Sequence, residues 1–201
     1  MTKKKIDTVV FDLGNVLLSF NPLSYLEKKF KDHPFLDLIY EEVFKTKEWL
    51  ELDRGTLEED EFIKIISRRI PEHKEIVREI VSTWDTMLTP IQPSVDWIPK
   101  LKEKGYRLYI LSNFHKRAFV DISNKYDFFR YFDGKLISSH YQLLKPEKEI
   151  YAKLMELYNI NPSTTLFIDD SKANVDAAQE FGFHTIHFQE AGQIEEFFNC
   201  L

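Results

Sequence analysis

The sequence predicts an α/β protein: a Rossmann-like parallel sheet core with an inserted all-helical cap. From residue 93 onward, short apolar runs alternate with helix-length amphipathic runs, an order that yields parallel strands with helices on both faces. A strand-like run also opens the chain, but between it and residue 92 only helical patterns occur. The expected division is a core of residues 1–15 plus 93–201 and a cap of about 16–92.

The first strand is expected over Ile6–Phe11, where adjacent β-branched residues and an aromatic precede Asp-Leu-Gly-Asn. Asn21-Pro22 starts a helix over Leu23–Lys31. Thr56 with Glu59 three positions on reads as a capping box for a helix through Arg69. Glu72–Met87 places Ile76, Ile80, Trp84 and Met87 on one helical face. Pro93–Lys104 is the next helix, closed by Gly105 and disturbed by Pro99. Strands over Tyr106–Leu111, Lys135–Ser138, Thr165–Ile168 and Phe183–Phe188 then alternate with helices over His115–Tyr126, Pro146–Tyr158 and Lys172–Phe181. A terminal helix is expected near Glu190–Phe198.

Composition narrows the function classes. In 201 residues, 43% are apolar and 30% charged, which is enough apolar material for a core and excludes a disordered chain. A net charge of −6 argues against a general nucleic-acid binder. The single cysteine, Cys200, forms no internal disulfide, and a reducing, cytoplasmic setting is expected. Asp7 and Asp12 interrupt the apolar N-terminal run, so neither a signal peptide nor a membrane span is expected. Lys3-Lys4-Lys5 reads as a solvated tail.

In open α/β sheets ligands bind at the carboxyl ends of the strands. The polar residues expected there are Asp12, Ser112-Asn113 and Asp169-Asp170, with Lys145 on a nearby loop. Three carboxylates suit a hard divalent cation such as magnesium. A hydroxyl, helix-start amides and a lysine suit a phosphate. Metal, phosphate and carboxylate together point to phosphoryl transfer, with an aspartyl-phosphate as one route.

The motifs FDLGNVL, LSN, KPEKEIY and FIDDSKANVDAA occur in the order of the haloacid dehalogenase superfamily, and the chain resembles the branch with a helical cap after the first motif. Within it, the sequence is similar to bacterial sugar-phosphate phosphatases of the α-D-glucose-1-phosphate phosphatase type, which also read FDLGNV. The resemblance implies a magnesium-dependent phosphatase of a small phosphorylated metabolite, with Asp12 as nucleophile and metal ligand and Gly14 giving a backbone carbonyl to the metal. Ser112, the Asn113 amide and Lys145 would hold the phosphate, Lys145 also neutralising Asp12. Asp170 would bind magnesium directly, Asp169 directly or through a water, with Asn174 and Asp176 in support. Asn15, at a position usually held by glycine, is a further candidate for substrate contact.

One position departs from the pattern. Most phosphatases of this family carry a second Asp two residues after the nucleophile, where this chain has Gly14, and the resemblance to the glucose-1-phosphate phosphatase group implies that the family tolerates its loss. A missing general acid/base costs about 10²–10⁴ in rate. Three readings follow: a phosphatase that obtains its proton elsewhere, a 2-haloacid dehalogenase, or a non-catalytic binder of a phosphorylated ligand. The Asp169-Asp170 pair favours the phosphatase, since dehalogenases need no metal and replace this pair. Some site residues also have a plain structural role open to them: Ser112 as a helix cap, Lys145 as a solvated cation, Asn174 as a loop brace. In the cap turn Asp53-Arg54-Gly55, Arg54 is expected either to bind the substrate's non-reacting part or to lie on the surface. His115 reads as a helix-start residue rather than one at the pocket mouth, and Trp49, Trp84 and Trp97 as core or interface rather than a sugar platform.

Overall fold

The computed structural model describes residues 6–31 and 33–200, and the Lys3–Lys5 tail lies outside the described residues. Strand β1 (Thr8–Phe11) is followed by two-residue strands β2 (Leu18–Ser19) and β3 (Thr89–Pro90), which pair antiparallel at the two ends of a helical insertion. Then come β4 (Arg107–Ser112), β5 (Gly134–Ile137), β6 (Thr165–Asp169) and β7 (His184–His187). With β1 they form one parallel sheet in the order β5-β4-β1-β6-β7. The predicted fold class, a Rossmann-like parallel sheet with an inserted helical cap, is the one observed.

Side chains alternate across a strand, and the apolar runs therefore build two cores. Val9, Phe11, Leu108, Ile110, Leu166 and Ile168 face one side, while Val10, Tyr109, Leu111 and Phe167 face the other. The first core continues without a break into the insertion, through Leu26, Val43, Trp49, Phe62, Ile80 and Trp84. The cap is thus packed onto the sheet layer rather than tethered beside it.

The insertion holds α1 (Pro22–Lys29), α2 (Leu36–Phe44), α3 (Lys47–Arg54), α4 (Glu59–Arg69) and α5 (Lys74–Thr83). Asn21 caps α1 by accepting from the Ser24 amide at 3.0 Å, with Pro22 at the first helical position. Thr46 caps α3 by accepting from the Trp49 amide at 3.3 Å. The remaining helices are α6 (Gln92–Val95), α7 (Trp97–Glu103), α8 (Lys116–Lys125), α9 (Ser138–Tyr141), α10 (Lys148–Tyr158), α11 (Lys172–Glu180) and α12 (Gly192–Asn199). None of the described helices is long and apolar enough to cross a membrane.

Four local expectations change. The β2–β3 pair was not expected inside the helical interval; two residues per strand are too few to show a period. The helix expected over residues 93–104 is α6 and α7 meeting at Asp96, because Pro99 has no N–H to donate to the Val95 carbonyl. The helix expected over 72–87 is α5 flanked by 3₁₀ turns at Pro71–His73 and Trp84–Met87, with Thr83 leaving helical geometry at φ −135°. Thr56 does not cap α4: its hydroxyl donates to the Glu51 carbonyl and carboxylate. Helix α4 starts at Glu59 instead, with Glu59, Asp60 and Glu61 complementing the positive end of its dipole.

Candidate active site

Strand β1 is the switch point of the sheet. The chain runs from β1 to β4 and β5 on one side, then returns to β6 and β7 on the other, leaving a crevice beyond the carboxyl end of β1. Phe11 is in register with Ile110 and with Ile168, which places Asp12 level with the ends of both neighbouring strands. Asp12, Ser112-Asn113 and Asp169-Asp170 converge in that crevice for this reason.

Asp12, Asp169 and Asp170 can each offer one carboxylate oxygen within 4.8 Å of the others. Asp12 is 7% exposed and Asp169 fully buried. Lys145 reaches into the cluster from the loop after α9, with Nζ 2.8 Å from Asp12 Oδ1 and 2.6 Å from Asp169 Oδ2. Burial opposes its charge, but the Asp12 and Asp169 carboxylates outweigh that cost and hold its pKa above the ordinary lysine value. Burial pushes the Asp12 carboxyl up to about 7, Lys145 opposes the shift, and the Asp169 charge adds to it. Burial also raises Asp170, against the hydrogen bond from Asn15. Three acids against one lysine leave unmatched negative charge in a low-dielectric site. The all-oxygen donor set and the excess charge fit a magnesium ion.

Hydrogen bonds fix each member. Asp169 Oδ1 accepts from the Ser171 amide and from Asn174 Nδ2, both at 2.9 Å, so Asn174 is the brace suggested by the motif. Asp176 instead pairs with Lys172 on the exposed side of α11. Asn113 holds the Lys145 backbone at both ends: its Nδ2 donates to the Lys145 carbonyl at 3.0 Å, and its Oδ1 accepts the Lys145 amide at 2.8 Å. Asn15 sits in the left-handed region at φ +52°, donates to Asp170 Oδ2 at 3.0 Å and accepts from the Phe20 amide at 2.9 Å. Its side chain thus ties Asp170 to the loop after β1.

Asp12, Gly14, Ser112, Asn113, Lys145 and Asn174 share a cavity of about 120 Å³ with cap residues. Its roof is Phe20, Trp49, Trp84 and Leu88, together with Asp53. Trp49 and Trp84 are thus interface residues that also line the site, whereas Trp97 packs against Phe198 away from it. A wider groove of about 1100 Å³ opens beyond Gly55 and His115, lined by Glu58, Glu59, Lys116 and Arg117, but it holds none of the acid cluster. The chemistry belongs to the smaller cavity.

In the cap turn Arg54, for which substrate contact and a surface position were both open, does not line the cavity; its guanidinium is bound by Glu147, with contacts of 2.9 and 2.5 Å. Asp53 enters instead. Trp49, Leu52 and Asp53 stand at i, i+3 and i+4 on α3, so an acid occupies the apolar face of that helix. Asp53 and Arg54 are adjacent in the sequence, and the packing of α3 brings the acid rather than the arginine to the cavity. Burial raises the Asp53 carboxyl to about 8, with the Asp12 charge adding and Lys145 opposing. His115 is buried beside it, its Nε2 3.3 Å from Asp53 Oδ1, and burial lowers its pKa to about 3.

Acids and a buried lysine at the switch point of a parallel sheet, closed over by helices, define a hydrolase of the capped α/β type. A haloacid dehalogenase-like hydrolase family matches residues 6–182, and the chain belongs to that family. A haloacid dehalogenase family enzyme of Bacteroides thetaiotaomicron, solved in complex with magnesium and inorganic phosphate, superposes with a TM-score of 0.74 at 26% identity, covering 93% of this chain and 96% of that one. The D-ribitol-5-phosphate phosphatase of the same species is 28% identical over 90% of each chain. The sesquiterpene phosphatase astK of Aspergillus oryzae is 23% identical over 90% of this chain and 89% of its own. An L-2-haloacid dehalogenase of Xanthobacter autotrophicus shares the fold at 19% identity and a TM-score of 0.66, covering 90% of this chain and 76% of that one.

Proposed function

We propose that the protein is a magnesium-dependent phosphatase of small phosphomonoesters, with Asp12 as the nucleophile that carries the phosphoryl group. The observation that carries this reading is the buried Asp12–Lys145–Asp169 chain of contacts beside Asp170. Asp12, Asp169 and Asp170 would hold the metal, with the Gly14 carbonyl as a further ligand. The bound ion supplies positive charge that lets an anionic nucleophile approach an anionic ester.

Lys145 orients Asp12 and offers its remaining donor capacity to a phosphate oxygen. Ser112 and Asn113, at the end of β4, line the wall where the other phosphate oxygens would lie. Attack by an Asp12 oxygen on phosphorus breaks the bond to the leaving oxygen. Water then attacks the same phosphorus and frees Asp12. The roof of Phe20, Trp49, Trp84 and Leu88 keeps bulk water from the reacting centre.

The substrate we infer is a sugar or polyol phosphate. The Trp84 Nε1–H is buried in the cavity roof without a hydrogen-bond partner, and a substrate hydroxyl would satisfy it. A D-ribitol-5-phosphate phosphatase and a phosphorylated carbohydrates phosphatase of Thermotoga maritima among the relatives point the same way. A cavity of about 120 Å³ suits the phosphate end of such a molecule, and the cap must move to admit the rest. A reducing, cytoplasmic setting accords with the exposed free Cys200. Halide release from a haloacid has no use for the Asp169-Asp170 pair, so the dehalogenase reading is the weaker one.

The test is phosphate release from a panel of sugar, polyol and aryl phosphates, with magnesium and with chelator, for the wild type and Asp12→Asn. Magnesium-dependent release that vanishes in the variant is the expected result. Release that persists in Asp12→Asn would overturn the covalent route, and release unaffected by chelator would overturn the metal.

A further inference from the structure

The reaction just proposed leaves a proton unaccounted for. An alkoxide leaving group must be protonated as the P–O bond breaks, and the position two residues after Asp12 is Gly14, which has no side chain to do it. Gly14 lines the cavity, and a Cβ there would meet only Asp12 Oδ2, at 4.0 Å. Space for an acid is therefore present beside the nucleophile, and the acid is absent.

Another carboxyl group faces the same space. Asp53 lines the cavity with Asp12, Gly14 and Lys145, but it comes from the opposite wall, from the last turn of α3. Two contacts fix its backbone, and an imidazole ring stands behind its carboxyl. Gly55 ends α3 in a left-handed conformation at φ +81° and lies so close to α9 that a Cβ would fall 2.4 Å from the Ser139 carbonyl oxygen. The Ser138 hydroxyl donates to the Asp53 carbonyl and accepts from the Phe114 amide at 2.8 Å. His115 stands behind the carboxyl, itself set between the rings of Trp49 at 4.5 Å and Trp84 at 4.8 Å.

The Asp53 side chain keeps 15% of its surface accessible while His115 keeps 3%, so the carboxyl is the member of the pair a ligand can reach. Among the described residues no lysine or arginine lies within ion-pair distance of it. The titratable groups around it are Asp12 and Lys145 across the cavity and His115 behind. A buried acid with no cationic partner costs stability, and a fold retains such a group where it has a task.

We propose that Asp53 is the proton donor to the leaving group, supplied by the cap in place of the acid absent at Gly14. The proposal rests on the phosphatase reading. In the first step an Asp12 oxygen forms a bond to phosphorus, the P–O bond to the alcohol breaks, and the departing oxygen takes the Asp53 carboxyl proton. In the second step the Asp53 carboxylate takes a proton from water as that water attacks phosphorus. The bond from phosphorus to Asp12 breaks, inorganic phosphate leaves, and both carboxyl groups return to their starting states. An acid carried by the cap is in place only when the cap is closed, so proton transfer is coupled to closure.

The experiment compares first-turnover phosphoenzyme formation in wild type and Asp53→Asn by rapid quench. One ester is the best alkyl phosphate of the panel and the other is p-nitrophenyl phosphate, whose leaving group departs without a proton. The expected result is a loss of about 10²–10⁴ on the alkyl ester and less than about tenfold on the aryl ester. Adding Gly14→Asp to Asp53→Asn is expected to restore part of the alkyl rate alone. Equal loss on both esters, or no loss on either, overturns the proton donor while Asp12 chemistry stands. A wild type silent on every ester overturns the phosphatase reading and the donor with it. Melting curves check that Asp53→Asn is folded, and Asp53→Ser repeats the comparison with a smaller side chain.

Discussion

Arg54 of the cap and Glu147 of the core form a two-pronged ion pair, at 2.5 and 2.9 Å, each next to or near a residue that lines the site, Asp53 and Lys145. Glu147 also accepts from the Leu144 amide at 3.1 Å, so the same carboxylate braces the loop that carries Lys145. On α8, Arg117 makes a second link to the cap, contacting Glu59 at 2.8 Å and the Val81 carbonyl at 2.9 Å. These contacts tie the cap to the sheet core in the arrangement in which Asp53 and Asp12 line one cavity.

The Arg54–Glu147 pair predicts coupling rather than substrate binding. Arg54→Gln and Glu147→Gln are expected to have similar effects on kcat/KM and melting temperature, and the double variant is expected to be no worse than either. Because both side chains are partly exposed, the coupling is expected at about 0.5–1 kcal/mol. A double-mutant cycle checks it. A rise in KM specific to Arg54→Gln would return Arg54 to the substrate.

Asn113 is expected to act through Lys145. Asn113→Ala removes both bonds to the Lys145 backbone, and a displacement near 1 Å at such a site costs on the order of 10² in kcat. The fold, read by circular dichroism, is expected to stay intact because the residue sits at a strand end on the site. A variant with full kcat would show that the loop holds Lys145 unaided.

Gly55→Ala is expected to be far more damaging than its size suggests. The new Cβ would meet the Ser139 carbonyl in a backbone conformation at φ +81°. A cost of at least about 1–3 kcal/mol is expected, which thermal unfolding would register. Because the clash pushes Asp53 away from the nucleophile, kcat on alkyl phosphates should fall as well.

Asp53 and His115 are expected to tilt stability in opposite directions with pH. The Asp53 carboxyl sits near 8 in the folded chain against an ordinary 3.8, so an unfolded chain gives up that proton first. Its contribution is whole below about 3.8 and is lost as pH rises toward 8. Asp53→Asn should therefore melt higher than wild type at pH 8, by about 2–4 °C for each kcal/mol, and converge with it near pH 4. His115 sits near 3 against an ordinary 6.5, so its contribution is whole above 6.5 and is lost as pH falls toward 3. His115→Gln should flatten that acid limb. Melting curves in chelator across this range test both slopes.

Trp84→Phe is expected to raise KM about fivefold for hydroxylated esters, the value of one lost hydrogen bond, and to leave aryl phosphate unchanged. An equal change for both ester classes would mean that the indole contributes shape alone.

Much of this protein was readable from its residues in order. Alternating apolar runs specified a parallel sheet because strand and helix periods are local properties of the chain. Asp12, Ser112, Lys145 and Asp169-Asp170 stood out because they follow strands or precede helices, and a parallel sheet brings all such ends to one edge. What the linear order could not decide was which side chain of the cap turn faces the nucleophile. Asp53 and Arg54 are neighbours, but about 100° of helical rotation separates them, and only packing settles that α3 lays its Trp49–Leu52–Asp53 face on the sheet layer. Asn113 stood out as a strand-end residue, but the hold of its side chain on the Lys145 backbone was equally opaque. Its bonds join residues 32 positions apart, and a contact of that kind exists only once β4 and the Lys145 loop lie side by side.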